Sequence, residues 1–374
     1  MVEEIRDGLS TVIALDTGIC QIDGGKSTIR GYSLDNLVMS STFEEVVWLL
    51  IHGDLPSSSD YQTFLAELKE IRESIPAKLK KQIEMLEGNE HPLSVLASCF
   101  SLMSADYEME IPPSEITLKK DTVRSVVSYH TLLTAYLRKR RQRTLWISDS
   151  GDSLVRNFCE GVLENRDPLI TGYLEKVLIG SSENELTAST FNARVAVSAR
   201  TDVYAALASG ILTWKGYRHG TASGYAMKDL KELAESGQDP QQFYRDKRAR
   251  KSPFFGFGHR LHKTELDQRV SITKLGTEIV CQRYSGRLFE YAERAERYMK
   301  EHEGRLPNPD LYLACFFDAI GLKEDEVSAV VFMGRVAGIA AHIIEESHPT
   351  RRIMRPRALY NGPTTKKYIQ LTQR

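Results

Sequence analysis

The apolar residues of this chain recur mostly with the period of an α-helix, and this pattern limits the fold more than any other feature. Residues 41–57, STFEEVVWLLIHGDLPS, carry an apolar stripe that stops at Gly53, with Pro56 beyond it, as expected at a helix end. Two capping boxes fit the start of this helix: Ser41 with Glu44, or Thr42 with Glu45. The same spacing returns in residues 60–75 and 123–137, so most of the chain is expected to be helical.

Strand signals are confined to a short region near the start. The turn signal Asp23-Gly24-Gly25 precedes STIRGYS, residues 27–33, which is the only stretch that resembles a strand. Residues 187–214 are rich in small side chains, which favours a close helix–helix or subunit contact. The sequence therefore predicts an all-α fold with one small hairpin.

The composition excludes several classes of protein. The 374 residues are 41% hydrophobic and carry a net charge of −1, so attraction of the whole molecule to nucleic acid or to an anionic membrane is not expected. The longest apolar run, Val327 to Ile344, is interrupted by Arg335, which argues against a membrane span. The start of the chain has no basic-then-apolar signal pattern, and the five cysteines form no CxxC pair. We expect a cytoplasmic protein with reduced thiols and no metal cage.

Two loop-like breaks suggest a domain organisation. Residues 214–224, WKGYRHGTASG, are rich in glycine, and residues 305–310, RLPNPD, contain two prolines. The block between the breaks is more polar and more charged. We predict a discontinuous large domain at residues 1–219 and 317–374, and a smaller inserted domain at residues 220–316.

Three residues in these loops could carry chemistry. His219 and His259 are flanked by glycine, and Asp310 lies in the first turn of a helix if Asn308 is its N-cap. Singly, each has an ordinary explanation: a hydrogen-bonding histidine, or an aspartate that pairs with the helix dipole. Together, one carboxylate and two imidazoles suit proton abstraction next to a carbonyl, followed by attack on a second carbonyl. His259 and His262 could be a metal pair, but no third ligand has suitable spacing, so no metal is expected.

Three arginines in the C-terminal part could bind carboxylates: Arg269, Arg335 and Arg355. The planar guanidinium group suits a carboxylate because it donates two parallel hydrogen bonds. Arg335 interrupts an apolar helix, and a buried arginine needs a partner. A salt bridge to Glu345 or Glu346, or simple solvation, explains Arg335 equally well.

Several separate motifs, in the right order, resemble those of the citrate synthase family over nearly the whole chain. GFGHRLHK, residues 256–263, is similar to the family's GFGHRVYK, and NPDLY, residues 308–312, stands where the family has NVDFY. ELTASTFNARV, residues 185–195, resembles HELNASTFxARV, and KGYRHG, residues 215–220, stands where the family has GPLHG. Near the C-terminus, GRVAGIAAHIIEE and IMRPRALYNGP resemble SRVAGWxAHIxEQ and IxRPRAxYxG.

The resemblance implies a helical homodimer with a large domain and a smaller mobile domain on the CoA side. It implies an acyltransferase that condenses an acyl-CoA with a 2-oxo acid and hydrolyses the thioester. In the tricarboxylic acid cycle these substrates are acetyl-CoA and oxaloacetate, and no metal or redox cofactor takes part. Asp310 would then be the base, His219 the donor to the enol oxygen, and His259 the donor to the carbonyl of the 2-oxo acid.

The resemblance also implies the binding residues. Arg269, Arg335 and Arg355 resemble the clamps for the carboxylates of the 2-oxo acid, with Arg355 reaching the partner subunit's site. The CoA contacts that it implies are Gly256, Phe257, Gly258, Lys263 and Asn308. The basic run LRKRRQR, residues 137–143, is interpreted first as a solvated helix end, then as a contact with CoA phosphates, and last as a nucleic-acid contact.

The chain departs from the family pattern where the 2-oxo acid binds. The family has a histidine that contacts this substrate, and here the position is Asn184, which can form hydrogen bonds but cannot carry positive charge. Arg218 is an additional cation beside His219, and Arg269 follows His259 one residue later than is usual. Arg218 could replace the lost charge, lower the pKa of the adjacent imidazole or point to solvent.

These changes leave three functional hypotheses. The favoured one is an active condensing enzyme with an altered preference for the 2-oxo acid or the acyl-CoA. The second is an ordinary citrate or 2-methylcitrate synthase that acts on oxaloacetate. The third is a non-catalytic paralogue that binds CoA or a carboxylate.

Overall fold

The computed structural model describes residues 7–9, 12–146, 153–258 and 265–374. Within these ranges the strands are β1 (Cys20–Asp23), β2 (Lys26–Ile29) and β3 (Tyr32–Ser33). The helices of the first part are α1 (Leu34–Ser40), α2 (Phe43–His52), α3 (Ser58–Glu73), α4 (Ala77–Met85), α5 (Pro92–Ala105), α6 (Glu115–Arg140), α7 (Leu154–Phe158), α8 (Pro168–Ser182), α9 (Ala188–Ser198) and α10 (Val203–Trp214). They are followed by α11 (Ala222–Ser236), α12 (Pro240–Ala249), α13 (Gln268–Tyr284), α14 (Leu288–Glu303), α15 (Pro309–Ala319) and α16 (Glu324–Glu346). The prediction of an all-α fold is confirmed.

Local signals in the sequence account for the ends of α2. Thr42 Oγ1 accepts a hydrogen bond from Glu45 N at 3.2 Å, and Glu45 Oε2 accepts one from Thr42 N at 2.7 Å. The capping box is therefore Thr42 with Glu45. Glu44, the other candidate, is buried and accepts from Leu154 N at 2.7 Å. Gly53 ends the helix with a φ of 99°, a conformation that favours glycine.

The expected hairpin is present, with one strand more than the sequence predicted. β1 and β2 pair antiparallel, with Cys20 opposite Ile29, and β3 adds to the other edge of β2. This small sheet lies beside α1 and carries the turn that later contacts α13.

Helix α16 is the centre of the core. Its length and composition would allow it to cross a membrane, but 94% of its most apolar stretch is buried inside the protein. The helix packs against α2, α6, α8, α9 and α11. Gly334 and Gly338 let the end of α8 approach closely, because a Cβ on either would lie 2.3 Å from Leu178 O or 2.1 Å from Ser182 O. The arginine that interrupts this helix therefore lies in the protein core.

The basic run at the end of α6, residues 137–143, is not a solvated helix end, so that expectation was wrong. Arg140 and Arg141 form ion pairs with Glu326, which is fully buried. Arg138 is also buried and donates to backbone carbonyls at Thr144 and Gly161. The run joins the end of α6 to the first turn of α16, because its guanidinium groups satisfy a buried carboxylate and otherwise unpaired carbonyls.

Helices α11, α13, α14 and α15 pack on one another, with α12 against α14. This group contacts the rest of the chain where α11 meets α16 and α13 meets α8. The group covers most of the predicted small domain, residues 220–316, and the boundaries of the two domains stay a prediction.

Candidate active site

A short backbone bridge brings the glycine-rich loop of residues 256–258 to the start of α15. Gly258 N donates to Leu306 O at 2.8 Å, and Asn308 N donates to Gly256 O at 2.9 Å. Phe257 pairs with Pro307 in the same bridge and is buried. Gly256 has a φ of +81°, and a Cβ there would lie 3.2 Å from the Cα of Leu311, so only glycine fits without strain.

Asn308 connects this loop to Asp310. Its side chain accepts from Asp310 N at 3.1 Å, as an N-cap, and donates to Gly258 O at 2.9 Å. Pro309 is the first helical residue, as the sequence predicted. Gly258, which precedes His259, is thereby bound to Asn308, which caps the helix of Asp310.

Asp310 is partly buried, and its pKa is far from ordinary. Burial raises the pKa of this carboxyl to about 7, while the positive charge of Arg269 lowers it and Asp267 raises it further. Arg269 donates to both carboxylate oxygens of Asp267, with Nε at 3.0 Å from each. Because Asp267 already neutralises Arg269, the arginine stabilises the ionised form of Asp310 only in part.

His219 lies in a pocket made by Ser189 and Trp214. Its Nε2 is 3.2 Å from Ser189 N, which donates, and 2.9 Å from Ser189 Oγ. The Trp214 ring is 4.7 Å from the imidazole, and Gly220 is required because a Cβ there would lie 2.2 Å from this indole. Burial, with a smaller contribution from the charge of Arg335, lowers the pKa of His219 to about 4.

This geometry fixes the tautomer of His219. The backbone N–H of Ser189 can only donate, so Nε2 must accept and the ring proton must lie on Nδ1. A neutral imidazole with a proton on Nδ1 can donate a hydrogen bond to a substrate oxygen.

Arg335 also contacts Trp214, with its guanidinium carbon 5.5 Å from the centre of that ring. Its Nε donates to Ser181 O at 2.8 Å, and the residue is only 2% exposed. One terminal nitrogen, Nη1, has no partner among the described residues. The expected alternatives for Arg335 were wrong: it is not solvated, and Glu345 and Glu346 bind Arg194 instead.

Asn184 follows directly after Ser181, Ser182 and Glu183, the residues that contact α16. Its backbone N–H donates to Glu183 Oε1 at 2.9 Å, and the residue is partly exposed. The side chain makes no hydrogen bond with the described part of the chain and is available to a ligand.

Of the remaining residues that the sequence singled out, the structure describes Arg355 and Arg218. Arg355 is exposed in the C-terminal tail and makes no hydrogen bond or ion pair with the described residues of its own chain. His259 and Lys263 lie outside the described residues. Arg218 is exposed and stacks on Tyr217 with its guanidinium carbon 5.6 Å from the ring centre.

The described ranges contain no candidate metal centre and no exposed thiol. No group of three or more histidine, cysteine, aspartate or glutamate side chains there could hold a metal ion. All five cysteines are free and buried, and burial raises the pKa of Cys20 and of Cys99 to about 12. Such thiols stay protonated and are weak nucleophiles.

Comparison with known proteins gives the family of the chain. The family model described as "Citrate synthase, C-terminal domain" matches residues 8–357. The chain belongs to the citrate synthase family. The citrate/2-methylcitrate synthase of Bacillus subtilis is 31% identical, and the match covers 95% of this chain and 96% of that one.

Further relatives agree with this assignment. The citrate synthase of Haloferax volcanii is 29% identical over 99% of both chains. A solved citrate synthase of Thermoplasma acidophilum, in a ternary complex with carboxymethyl coenzyme A and oxaloacetate, is 24% identical and superposes with a TM-score of 0.91. That superposition covers 99% of this chain and 100% of the other, and it shows the citrate synthase fold.

Sequence reasoning missed the residues that orient the site. Trp214, Ser189 and Glu183 surround His219, Arg335 and Asn184, but none carries a chemical signature of its own. Ser189 lies within the ELTAST motif and Glu183 lies two residues before it, and this closeness along the chain was the available signal.

Proposed function

We propose that this protein joins an acyl-CoA to a 2-oxo acid by a citrate-synthase-type condensation and then hydrolyses the thioester. Asp310 removes a proton from the carbon next to the thioester carbonyl, and His219 Nδ1–H stabilises the enol oxygen. That carbon then attacks the carbonyl of the 2-oxo acid, with His259 as donor to the oxygen. Water cleaves the thioester and releases CoA as a free thiol.

The observation that carries this proposal is the state of His219. An imidazole that accepts from Ser189 N–H presents its only proton on Nδ1, and a pKa of about 4 keeps it neutral at physiological pH. A neutral donor suits an enol, because it stabilises the developing oxygen charge without titrating during the reaction. Asp310 complements it, since a base with a pKa of about 7 is strong enough to remove a carbon-bound proton.

For the 2-oxo acid we propose Arg335, Arg269 and Asn184 from the same chain and Arg355 from a partner subunit. Among the described residues, one buried nitrogen of Arg335 has no partner, which suits a carboxylate. Asn184 offers a neutral donor where the family pattern has a histidine. This loss of charge favours an altered specificity for the 2-oxo acid or the acyl-CoA, with ordinary citrate or 2-methylcitrate synthesis as the second candidate.

The remaining expectations follow from family membership. We propose that CoA contacts the loop of residues 256–258, Lys263 and Asn308, and that the protein acts in the cytoplasm as a homodimer. The family needs no metal or prosthetic group, and the CoA thioester is a substrate. During the reaction CoA is released and the transferred acyl group becomes an alkyl group of the product. The enzyme is therefore an acyltransferase.

The test is a matrix of acyl-CoAs against 2-oxo acids, with free thiol as the readout. Acetyl-CoA and propionyl-CoA are paired with oxaloacetate and with 2-oxo acids of other lengths and charges. We expect thiol release that depends on both substrates. No release with any pair, together with thermal stabilisation by CoA or a carboxylate, would identify a non-catalytic binding protein instead.

A further inference from the structure

The segment of residues 181–184, which ends at Asn184, lies along one face of α16. Positions 335, 338 and 342 of this helix are spaced by three and four residues, so they share a face. Arg335 Nε donates to Ser181 O at 2.8 Å, and the absent Cβ of Gly338 leaves room for the Ser182 carbonyl. The backbone of the segment therefore rests directly on the helix that carries the arginine.

Glu183 supplies the third attachment. Its Oε1 lies 3.3 Å from His342 Nε2 and accepts from Asn184 N at 2.9 Å. Glu183 and His342 are 2% and 0% exposed, so water does not replace these bonds. One carboxylate oxygen thus ties the backbone of Asn184 to α16.

Arg194 fixes the direction of the bond between His342 and Glu183. Its Nη1 lies 2.9 Å from His342 Nδ1, and a guanidinium group can only donate. Nδ1 must therefore accept, which leaves the imidazole proton on Nε2 facing Glu183. Arg194 is itself held by two bonds to Glu346 Oε2, at 2.9 Å and 2.6 Å, so the tautomer of His342 is set by buried groups.

We infer that Glu183 and His342 are positioning residues. They hold Asn184 at a fixed distance from Arg335, so that both can bind the 2-oxo acid. This inference rests on the proposed function. Asn184 and Arg335 must meet two groups of one small molecule, so the distance between them must be fixed before binding. Arg335 belongs to α16, and Asn184 is attached through Glu183 to His342, seven positions further along the same face. Neither Glu183 nor His342 needs to touch the substrate.

Paired substitutions at His342 test the donor. His342→Asn keeps a group that accepts from Arg194 but removes the donor to Glu183, whereas His342→Gln keeps a donor near the position of Nε2. We expect His342→Asn to raise the KM for the 2-oxo acid about tenfold, from the loss of a hydrogen bond to a charged group. His342→Gln should recover most of this loss. The kcat and the KM for acyl-CoA should change by less than about threefold in both.

Substitutions at Glu183 test the acceptor. Glu183→Ala removes both bonds of Oε1 and should raise the KM for the 2-oxo acid by about tenfold or more. Glu183→Gln retains one oxygen and should restore much of the affinity. Glu346→Gln is the control, because its amide oxygen can still accept from Arg194, which keeps its bond to His342. The loss of the buried charge should lower the melting temperature without raising that KM. Equal KM values in Glu183→Ala and Glu346→Gln would overturn the inference.

A readout that does not depend on turnover separates this inference from the proposed function. Hydrogen exchange of the Asn184 amide should accelerate in Glu183→Ala and His342→Asn, but not in Glu346→Gln. In the wild type, the nitrogen shifts of His342 should report a proton on Nε2 alone. If no substrate pair gives thiol release, the proposed function fails and these signals still decide whether Asn184 is held. Unchanged exchange in all three variants, or a proton on Nδ1, would refute the positioning role.

Discussion

Burial acts on the two described catalytic candidates in the same physical way and with opposite effects on their pKa values. The charged form of each group is disfavoured away from water, so the pKa of Asp310 rises to about 7 while that of His219 falls to about 4. Near neutral pH the imidazole is a neutral donor and the carboxyl can both hold and release a proton. Titratable groups with pKa values shifted apart in this manner suit a base and a hydrogen-bond donor, the roles proposed for Asp310 and His219.

The proposed base gives the first prediction. Asp310→Asn keeps the size of the side chain and its position after the Asn308 cap, but removes the ability to accept a proton. We expect kcat to fall by about 10²-fold to 10⁴-fold or more, with an unchanged circular dichroism spectrum. Turnover close to that of the wild type would show that Asp310 is not the base.

The same carboxyl predicts the pH dependence of both rate and stability. Because the base must be ionised, kcat/KM should fall about tenfold per pH unit below about pH 7. The folded pKa is raised above the ordinary value of 3.8, so the contribution of this group to stability is lost as pH rises from about 4 to about 7. Asp310→Asn should therefore raise the melting temperature more at pH 8 than at pH 4, while a flat rate profile from pH 5 to pH 8 would contradict the assignment.

Asn184 gives a prediction about specificity. Asn184→His should increase affinity for oxaloacetate about tenfold if the rest of the site is that of an ordinary citrate synthase, because a hydrogen bond from a charged donor replaces a neutral one. The measurement is the KM for oxaloacetate beside that of the best 2-oxo acid in the matrix. No gain for oxaloacetate, with activity retained on another 2-oxo acid, would support altered specificity.

At the scale of elements, the sequence correctly predicted the helix ends and turns that depend on residues close by along the chain. The Thr42 box, the Gly53 stop, the hairpin turn at Gly24 and Gly25 and the Asn308 cap all depend on neighbours a few residues away, and all appear in the structure. The basic run at the end of α6 was misjudged because its partner, Glu326, is 185 residues from Arg141. A charge pattern shows which residues are cationic but not what they meet in the fold.

One contact between elements can be tested by a single substitution. Gln268 is the first residue of α13. Its N–H donates to Gly25 O at 3.1 Å, its Oε1 accepts from Ser27 N at 2.6 Å, and its Nε2 donates to Asp35 Oδ1 at 3.2 Å. The three bonds attach the start of α13 to β2, α1 and the β1–β2 turn.

Gln268→Pro should lower the free energy of unfolding by about 1–3 kcal/mol, because it removes these bonds. Proline is otherwise favoured at a first helical position, and Asp267 already has the extended backbone that a following proline requires. Ser58→Pro, at the exposed first position of α3, is the control and should change the free energy by less than about 0.5 kcal/mol. Urea unfolding gives both values, and equal values would show that the contacts of Gln268 contribute nothing.

At the scale of the whole molecule, the hydrogen bonds of the C-terminal tail, residues 355–374, stay within the tail in the part of the chain that the structure describes. Its apolar side chains are largely exposed, among them Leu359 at 67%, Tyr360 at 71% and Tyr368 at 78%. Several large apolar groups in one extended segment indicate a protein contact. Sequence reasoning assigned Arg355 to the partner subunit's site only through the family motif, since nothing near it along the chain shows which site it serves.

In the proposed homodimer, mixed dimers decide whether Arg355 serves the partner's site. Arg355→Ala and Asp310→Asn should each be nearly inactive as homodimers. If Arg355 crosses to the other subunit, a mixed dimer contains one complete site, because Asp310 of one chain meets Arg355 of the other. Refolding an equal mixture makes half of the dimers mixed, with one of two sites intact, so activity should recover to about one quarter of the wild-type value. An arginine that served its own chain would leave every site in the mixture incomplete, and activity would stay at the level of the separate variants.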